Sequence, residues 1–299
     1  MIRAVVSDLD NTLYSWVDYI VPSLEAMVAS LCSSTGLPRI RVVQSLKRVY
    51  EKYGSNEYPF VIQEADCFAD FVGDFGSFNQ MVIEPARVAF GHARKKYLQL
   101  YPNVRDTLEK LHAQGVRVMA LTDAPRNPAE LRVKQLGLDH GLLERVYTLP
   151  AFPLPNAVDP KIIAREKSGH YRAKVEMVEL PAEYEKPDVR GLKRILSDLE
   201  LEPQEVLYVG DSRKKDIAVA QAVGCHDALA EYGLYRSQEY AERLEAISAP
   251  SATRRHVAMD GHAPVKPTHR LANFDQILDI VNDAAARNAP RAAKKRRAS

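Results

Sequence analysis

Three short, almost purely apolar runs, Ile2 to Val6, Val116 to Leu121 and Val206 to Val209, each stop at residues able to do chemistry. The first leads into Asp8, the second into Thr122 and Asp123, the third into Gly210 and Asp211. Strands exposed on one face alternate apolar with polar residues; strands covered on both faces do not. Runs of this kind therefore predict the interior of a parallel sheet. Helical patterns lie between them. Val104, Leu108 and Leu111 share one face of a segment that Gly115 closes. Leu131 to Leu136, Val189 to Leu199, and Ile217 to Val223 before Gly224 read as further helices. Strands alternating with helices predict an α/β fold, a doubly wound parallel sheet. Such sheets gather their chemistry at the carboxyl ends of the strands.

The alternation is interrupted once, for about a hundred residues after Asp10. There Leu24, Met27, Val28 and Leu31 recur at helical spacing, as do Val42, Val43, Leu46, Val49 and Tyr50, and Val88 to Leu100 continues the pattern. Residues 15–98 are expected to form an inserted α-helical cap domain on a core built from 1–14 and 99–286. Two segments exceed a minimal core: residues 150–185, where Tyr171 to Leu180 has partial strand alternation, and the polar stretch 236–268, expected on the surface. Residues 287–299 form a basic, Ala-rich tail, expected to be disordered.

The bulk numbers are those of an ordinary globular chain: 299 residues, 46% hydrophobic, with a formal net charge of +2. That charge gives no global field for nucleic acid, and no apolar run is long enough to span a bilayer. Cys32, Cys67 and Cys225 are far apart and form no C-x-x-C. With the first strand starting at Ile2, ahead of any stretch for a signal peptide, a reducing cytoplasm is expected.

The strand-end residues supply what phosphoryl transfer from a monoester requires: a nucleophile, an acid for the leaving oxygen, and charge to neutralise and orient the phosphate. Asp8 is a carboxylate nucleophile, able to form an aspartyl-phosphate. Asp10, two residues on, can protonate the leaving alcohol and then deprotonate water. Thr122, with the backbone N–H of Asp123 after it, can hold phosphate oxygens. Lys186, in Glu-Lys-Pro-Asp before a helix, can neutralise both the phosphate and Asp8. Asp211 and Asp216 can bind Mg²⁺ with Asp8, and Asp10 beside them, in a shell of oxygens. Each residue alone also has a plainer reading. Asp and Thr cap helices and turns, and most lysines are solvated, as Arg213, Lys214 and Lys215 are expected to be.

Taken in order, Asp8-Leu9-Asp10-Asn11-Thr12, Thr122, Lys186 and Gly210-Asp211 through Asp216 resemble the motifs of the haloacid-dehalogenase superfamily of phosphohydrolases. The resemblance covers roughly residues 1–14, 100–150 and 183–235. It implies a Rossmann-like core, Mg²⁺ dependence, an aspartyl-phosphate on Asp8, and a cap in the insertion after Asp10. Dehalogenase members lack an acid at the position of Asp10, so its presence favours phosphoester chemistry. Asp123 departs from the family, which often has Asn there. The expected activity is a phosphatase on a small phosphorylated metabolite. The alternatives are a phosphomutase on the same scaffold, and a binding protein that uses the Lys294-Lys295-Arg296-Arg297 tail.

Overall fold

The computed structural model describes residues 1–71, 75–154, 172–234, 238–248 and 265–288. Seven parallel strands form one sheet in the order β4-β3-β2-β1-β5-β6-β7. They are β1 (Ala4–Ser7), β2 (Arg117–Pro125), β3 (Arg145–Leu149), β4 (Glu176–Glu179), β5 (Val206–Gly210), β6 (His226–Ala230) and β7 (His269–Leu271). The three apolar runs of the sequence are its centre, β2, β1 and β5. β1 shows why these strands do not alternate. Ala4 and Val6 face the helices Arg190–Leu199 and Ala218–Val223, while Val5 faces the opposite layer with Val104, Leu108 and Leu111. Every β1 residue is fully buried, so each must be apolar or internally bonded.

The elements differ from the sequence pattern where polar residues join them. β2 runs through Thr122 to Pro125, and its pairing with β3 shifts between Leu121 and Pro125. Thr122 to Ala124 thus bulge out of the ladder near its carboxyl end, a common device beside functional sites. The helix after β2 starts at Arg126, ahead of its apolar stretch. A π-helical turn, Arg213–Ile217, precedes the helix that starts at Ala218. Tyr171 lies outside the described residues, and the alternation after it ends in β4, an edge strand parallel to β3. The stretch 236–268 departs from a simple surface loop. Its first part is the helix Gln238–Ile247, which packs on the long helix of the insertion and buries Leu244 and Ile247. Residues 289–299 of the expected tail lie outside the described residues, and the helix Ile277–Asn288 runs up to them.

Between β1 and β2 the regular elements among the described residues are all helical. α1 (Trp16–Thr35) starts at Ser15, whose hydroxyl accepts the N–H of Asp18 at 3.2 Å, and ends at Gly36 in the left-handed region. It packs along the helix Glu84–Tyr97 and against α2 (Arg39–Tyr53). The chain leaves and rejoins the sheet at one place: Tyr101 N–H donates to the Leu13 carbonyl at 2.9 Å, and Tyr14 bridges Leu100. Arg243 pairs with Glu25, and Asn56 donates to Ser248 Oγ at 2.8 Å, so the helix Gln238–Ile247 and its end are tied to the insertion.

Candidate active site

β1 and β5 lie side by side in register, and Asp8 N–H donates to the Val209 carbonyl at 2.8 Å. This sets Asp8 beside the loop that follows β5. Carboxylate oxygens of Asp8, Asp211 and Asp216 lie within 4.8 Å of one another, and all three residues are buried. Lys186 Nζ donates to Asp8 Oδ1 at 2.9 Å and to Asp216 Oδ1 at 2.7 Å. Asp216 also accepts from Tyr208 Oη at 3.1 Å and from Ser212 N–H at 3.0 Å. Gly210 is required here, because a Cβ on it would collide with the Asp216 side chain.

The electrostatics follow from burial. Desolvation pushes the Asp8 carboxyl well above the usual carboxylate range; the Lys186 ammonium opposes that rise, while Asp216, Asp211 and Asp10 add to it. Burial works against the charge on Lys186, but Asp216 and Asp8 outweigh it and hold the ammonium well above its ordinary value. The three buried carboxylates offer only hard oxygen donors. That set fits Mg²⁺, which takes few protein carboxylates and keeps room for water and phosphate oxygens.

Thr122 is 2% exposed, and its Oγ1 accepts the N–H of Ala124 at 3.1 Å. Its hydroxyl proton is therefore the part able to donate to a phosphate oxygen. Asp123 differs from a direct phosphate contact through its side chain. Its Oδ1 accepts the Lys186 N–H at 2.9 Å, and its Oδ2 takes Lys215 Nζ at 2.7 Å. The carboxylate thus anchors the Lys186 backbone, and its charge is met by Lys215. Lys215 is correspondingly not a solvated lysine: it is engaged by Asp123 and, at 3.5 Å, by Glu185.

Asp10, expected among the metal ligands, turns to a different partner. Its Oδ2 accepts from Arg132 Nη2 at 3.2 Å, and its Oδ1 is buried without a hydrogen-bond partner among the described residues. Arg132 was not legible as a site residue. It is 1% exposed, within the helix Arg126–Gln135. Its Nε donates to Tyr14 Oη at 2.8 Å and its Nη1 to Tyr19 Oη at 3.0 Å, and it is ion-paired with Glu57 of the insertion. Burial opposes its charge, yet Asp10 and Glu57 keep the guanidinium firmly protonated. The one signal in the sequence is an arginine three residues after Ala129 and four before Leu136, on the face that those residues bury.

A profile of haloacid dehalogenase-like hydrolases matches residues 2–224. The chain belongs to this family. It is an enzyme, a hydrolase of the haloacid dehalogenase-like class, and its fold is that of the family. A phosphoglycolate phosphatase of Aliivibrio fischeri is 26% identical over 239 residues, covering 78% of this chain and 85% of that protein. A glyceraldehyde 3-phosphate phosphatase of Methanocaldococcus jannaschii is 24% identical over 241 residues, covering 80% and 89%. Among solved structures, a 2-haloacid dehalogenase from Pseudomonas syringae pv. Tomato superposes with a TM-score of 0.54 at 18% identity, covering 95% of this chain and 100% of that one. A haloacid dehalogenase-like phosphatase from Thermococcus onnurineus gives 0.53 at 17% identity, covering 94% and 98%. The two structures share the fold with this hydrolase although one is a dehalogenase and the other a phosphatase, so the chemistry must be argued from the residues.

Proposed function

We propose that this hydrolase is a Mg²⁺-dependent phosphatase that cleaves a small phosphomonoester through an aspartyl-phosphate on Asp8. The observation that carries the reading is the division of labour between two neighbouring carboxylates. Asp8 lies against an ammonium and two further acids, while Asp10 lies apart on Arg132 with one oxygen unpartnered. Two acids in different settings suit two roles, nucleophile and acid–base. The relatives matched over most of their length are phosphatases, which supports the same chemistry.

In the first step an Asp8 oxygen attacks phosphorus as the ester P–O bond breaks, and the departing oxygen takes the proton from Asp10. In the second, Asp10 accepts a proton from water as that water attacks phosphorus and the Asp8–phosphorus bond breaks, which frees phosphate. Lys186 orients Asp8 and neutralises the phosphoryl charge, and the Thr122 hydroxyl donates to a phosphoryl oxygen. Asp8, Asp211 and Asp216 would hold the Mg²⁺, which supplies further charge neutralisation at the phosphate. The helices of residues 15–98, as a cap, would keep stray water from the acyl phosphate and select the substrate. No helix among the described residues is long and apolar enough to cross a membrane. The three cysteines are unpaired thiols, in keeping with a reducing cytoplasm.

The test is release of inorganic phosphate from a panel of monoesters, beginning with phosphoglycolate and glyceraldehyde 3-phosphate. It is run with Mg²⁺ and with EDTA, and beside Asp8→Asn. The expected result is turnover that needs both Mg²⁺ and Asp8, with the variant retaining the native circular-dichroism spectrum. Free phosphate separates a phosphatase from a mutase, and normal turnover by Asp8→Asn would overturn the mechanism.

A further inference from the structure

The buried fork around Arg132 has no part in the chemistry set out above, yet it touches the residue assigned the proton transfers. Resting on the phosphatase reading, we infer that Arg132 is the positioning residue of the acid–base step, fixing Asp10 by Oδ2 so that Oδ1 alone carries the proton to and from the reacting oxygens. A guanidinium is a donor only, with no lone pair to accept a hydrogen bond. The oxygen it binds, Asp10 Oδ2, therefore receives a hydrogen bond and is not the oxygen that offers one to Arg132. The other oxygen, Oδ1, is buried and has no hydrogen-bond partner among the described residues. An unpartnered buried carboxyl oxygen is costly unless a bound molecule completes it. The leaving oxygen in the first step, and the water in the second, supply that partner in turn.

Arg132 is not a substrate-binding group in this arrangement. It is 1% exposed, and its donors are directed to Tyr14, Tyr19, Glu57 and Asp10. Glu57 is itself held by Trp16 Nε1 at 3.3 Å and by Tyr19 Oη at 2.9 Å, so the fork is oriented from the insertion as well as from the core. The placement of Asp10 is therefore shared between the helix after β2 and the helical segment after β1. A planar fork gives direction as well as charge, which a lysine ammonium does not.

The experiment compares Arg132→Lys, Asp10→Asn and the unchanged enzyme on two substrates, glycerol phosphate and p-nitrophenyl phosphate, all with Mg²⁺. An alkoxide needs a proton to leave; p-nitrophenolate does not. Arg132→Lys is expected to lower kcat/KM for glycerol phosphate by about 10²-fold, the loss associated with roughly 1 Å of misplacement, and for p-nitrophenyl phosphate by less than about threefold. Because water activation also depends on Asp10, the variant should release a burst of p-nitrophenol, one per enzyme, before a slow steady state. Asp10→Asn should show the same pattern more strongly. Equal losses on both substrates without a burst in Arg132→Lys, while Asp10→Asn discriminates, would overturn the role of Arg132 and leave the phosphatase reading standing. Absence of discrimination in Asp10→Asn itself would remove the acid–base role, and the inference with it. If Arg132→Lys does not fold, Glu57→Gln carries the same comparison. It leaves Arg132 on Asp10 but loosens its other anchor, so a smaller loss confined to the alkyl ester is expected, and an equal loss on both esters overturns the inference.

Discussion

Replacing Lys186 by methionine turns the electrostatics of the site into a measurable slope. Lys186 is 4% exposed and is the ammonium that bridges Asp8 and Asp216. Removing one partner of a buried ion pair strands the other, and typically costs about 3–5 kcal/mol. The size can be worked a second way. In metal-free protein the cheapest repair is for one of the stranded carboxyls to bind a proton. Starting from an unfolded value of about 3.9 and costing about 1.36 kcal/mol per pH unit, that repair costs about 5 kcal/mol at about pH 7.5 and about 2 kcal/mol at about pH 5.5. The sign is fixed by Asp8. Burial already raises its carboxyl and Lys186 is the influence that opposes the rise, so the variant raises it further. A group raised in the folded state stabilises below its unfolded value and loses that contribution as pH climbs. The deficit of Lys186→Met should therefore grow with pH between those two values. Urea unfolding followed by circular dichroism in EDTA, at both pH values, measures it. Mg²⁺ at a hundredfold excess over its Kd should raise the variant's own stability by about 2.7 kcal/mol. A deficit below about 1 kcal/mol at the higher pH, or one that does not change with pH, would refute the reasoning.

Two further perturbations probe the loops and the core. A Cβ on Gly233 would collide with the Asn11 carbonyl and press on Asp211, so Gly233→Ala should lower stability by about 1–3 kcal/mol in urea unfolding and weaken Mg²⁺ binding by calorimetry; a wild-type profile in both would show that the loop moves freely. Burial pushes the Cys225 thiol up to about 12 and also raises Cys67, whereas Cys32 is half-buried. Native protein treated with a disulfide reagent at mildly alkaline pH should label Cys32 first and Cys225 at the rate of unfolding; prompt labelling of Cys225 would contradict its placement.

The central strands and the candidate residues at their ends were legible because each strand is short, apolar and followed directly by a polar side chain. Asp8, Lys186, Asp211 and Asp216 converge as the spacing predicted. What escaped the sequence was polar partnership at a distance. Arg132 lies 75 residues from Glu57 and 122 from Asp10, and nothing local marks the pair. Lys215, 92 residues from its partner Asp123, was misjudged for the same reason, since it looked like an ordinary surface charge. β7, three residues with one fully buried side chain, carries too little pattern to read. The bulge at Thr122 to Ala124 is invisible because bulges answer to the neighbouring strand, not to the run itself.

The position of β1 at the middle of the sheet has a consequence in time. It is the first strand to be made, and both its neighbours, β2 and β5, come from much later in the chain. Asp8 and Lys186 are 178 residues apart, which at ordinary synthesis rates is a wait of roughly 10–40 s. Until then the edge of β1 that faces β5 is unpaired, and Asp8 has no ammonium beside it. The site is thus a late product of synthesis: no amino-terminal fragment that stops short of β5 contains a β1 paired on both edges, and Asp8 acquires its ammonium only after β2, β3 and β4 have been made.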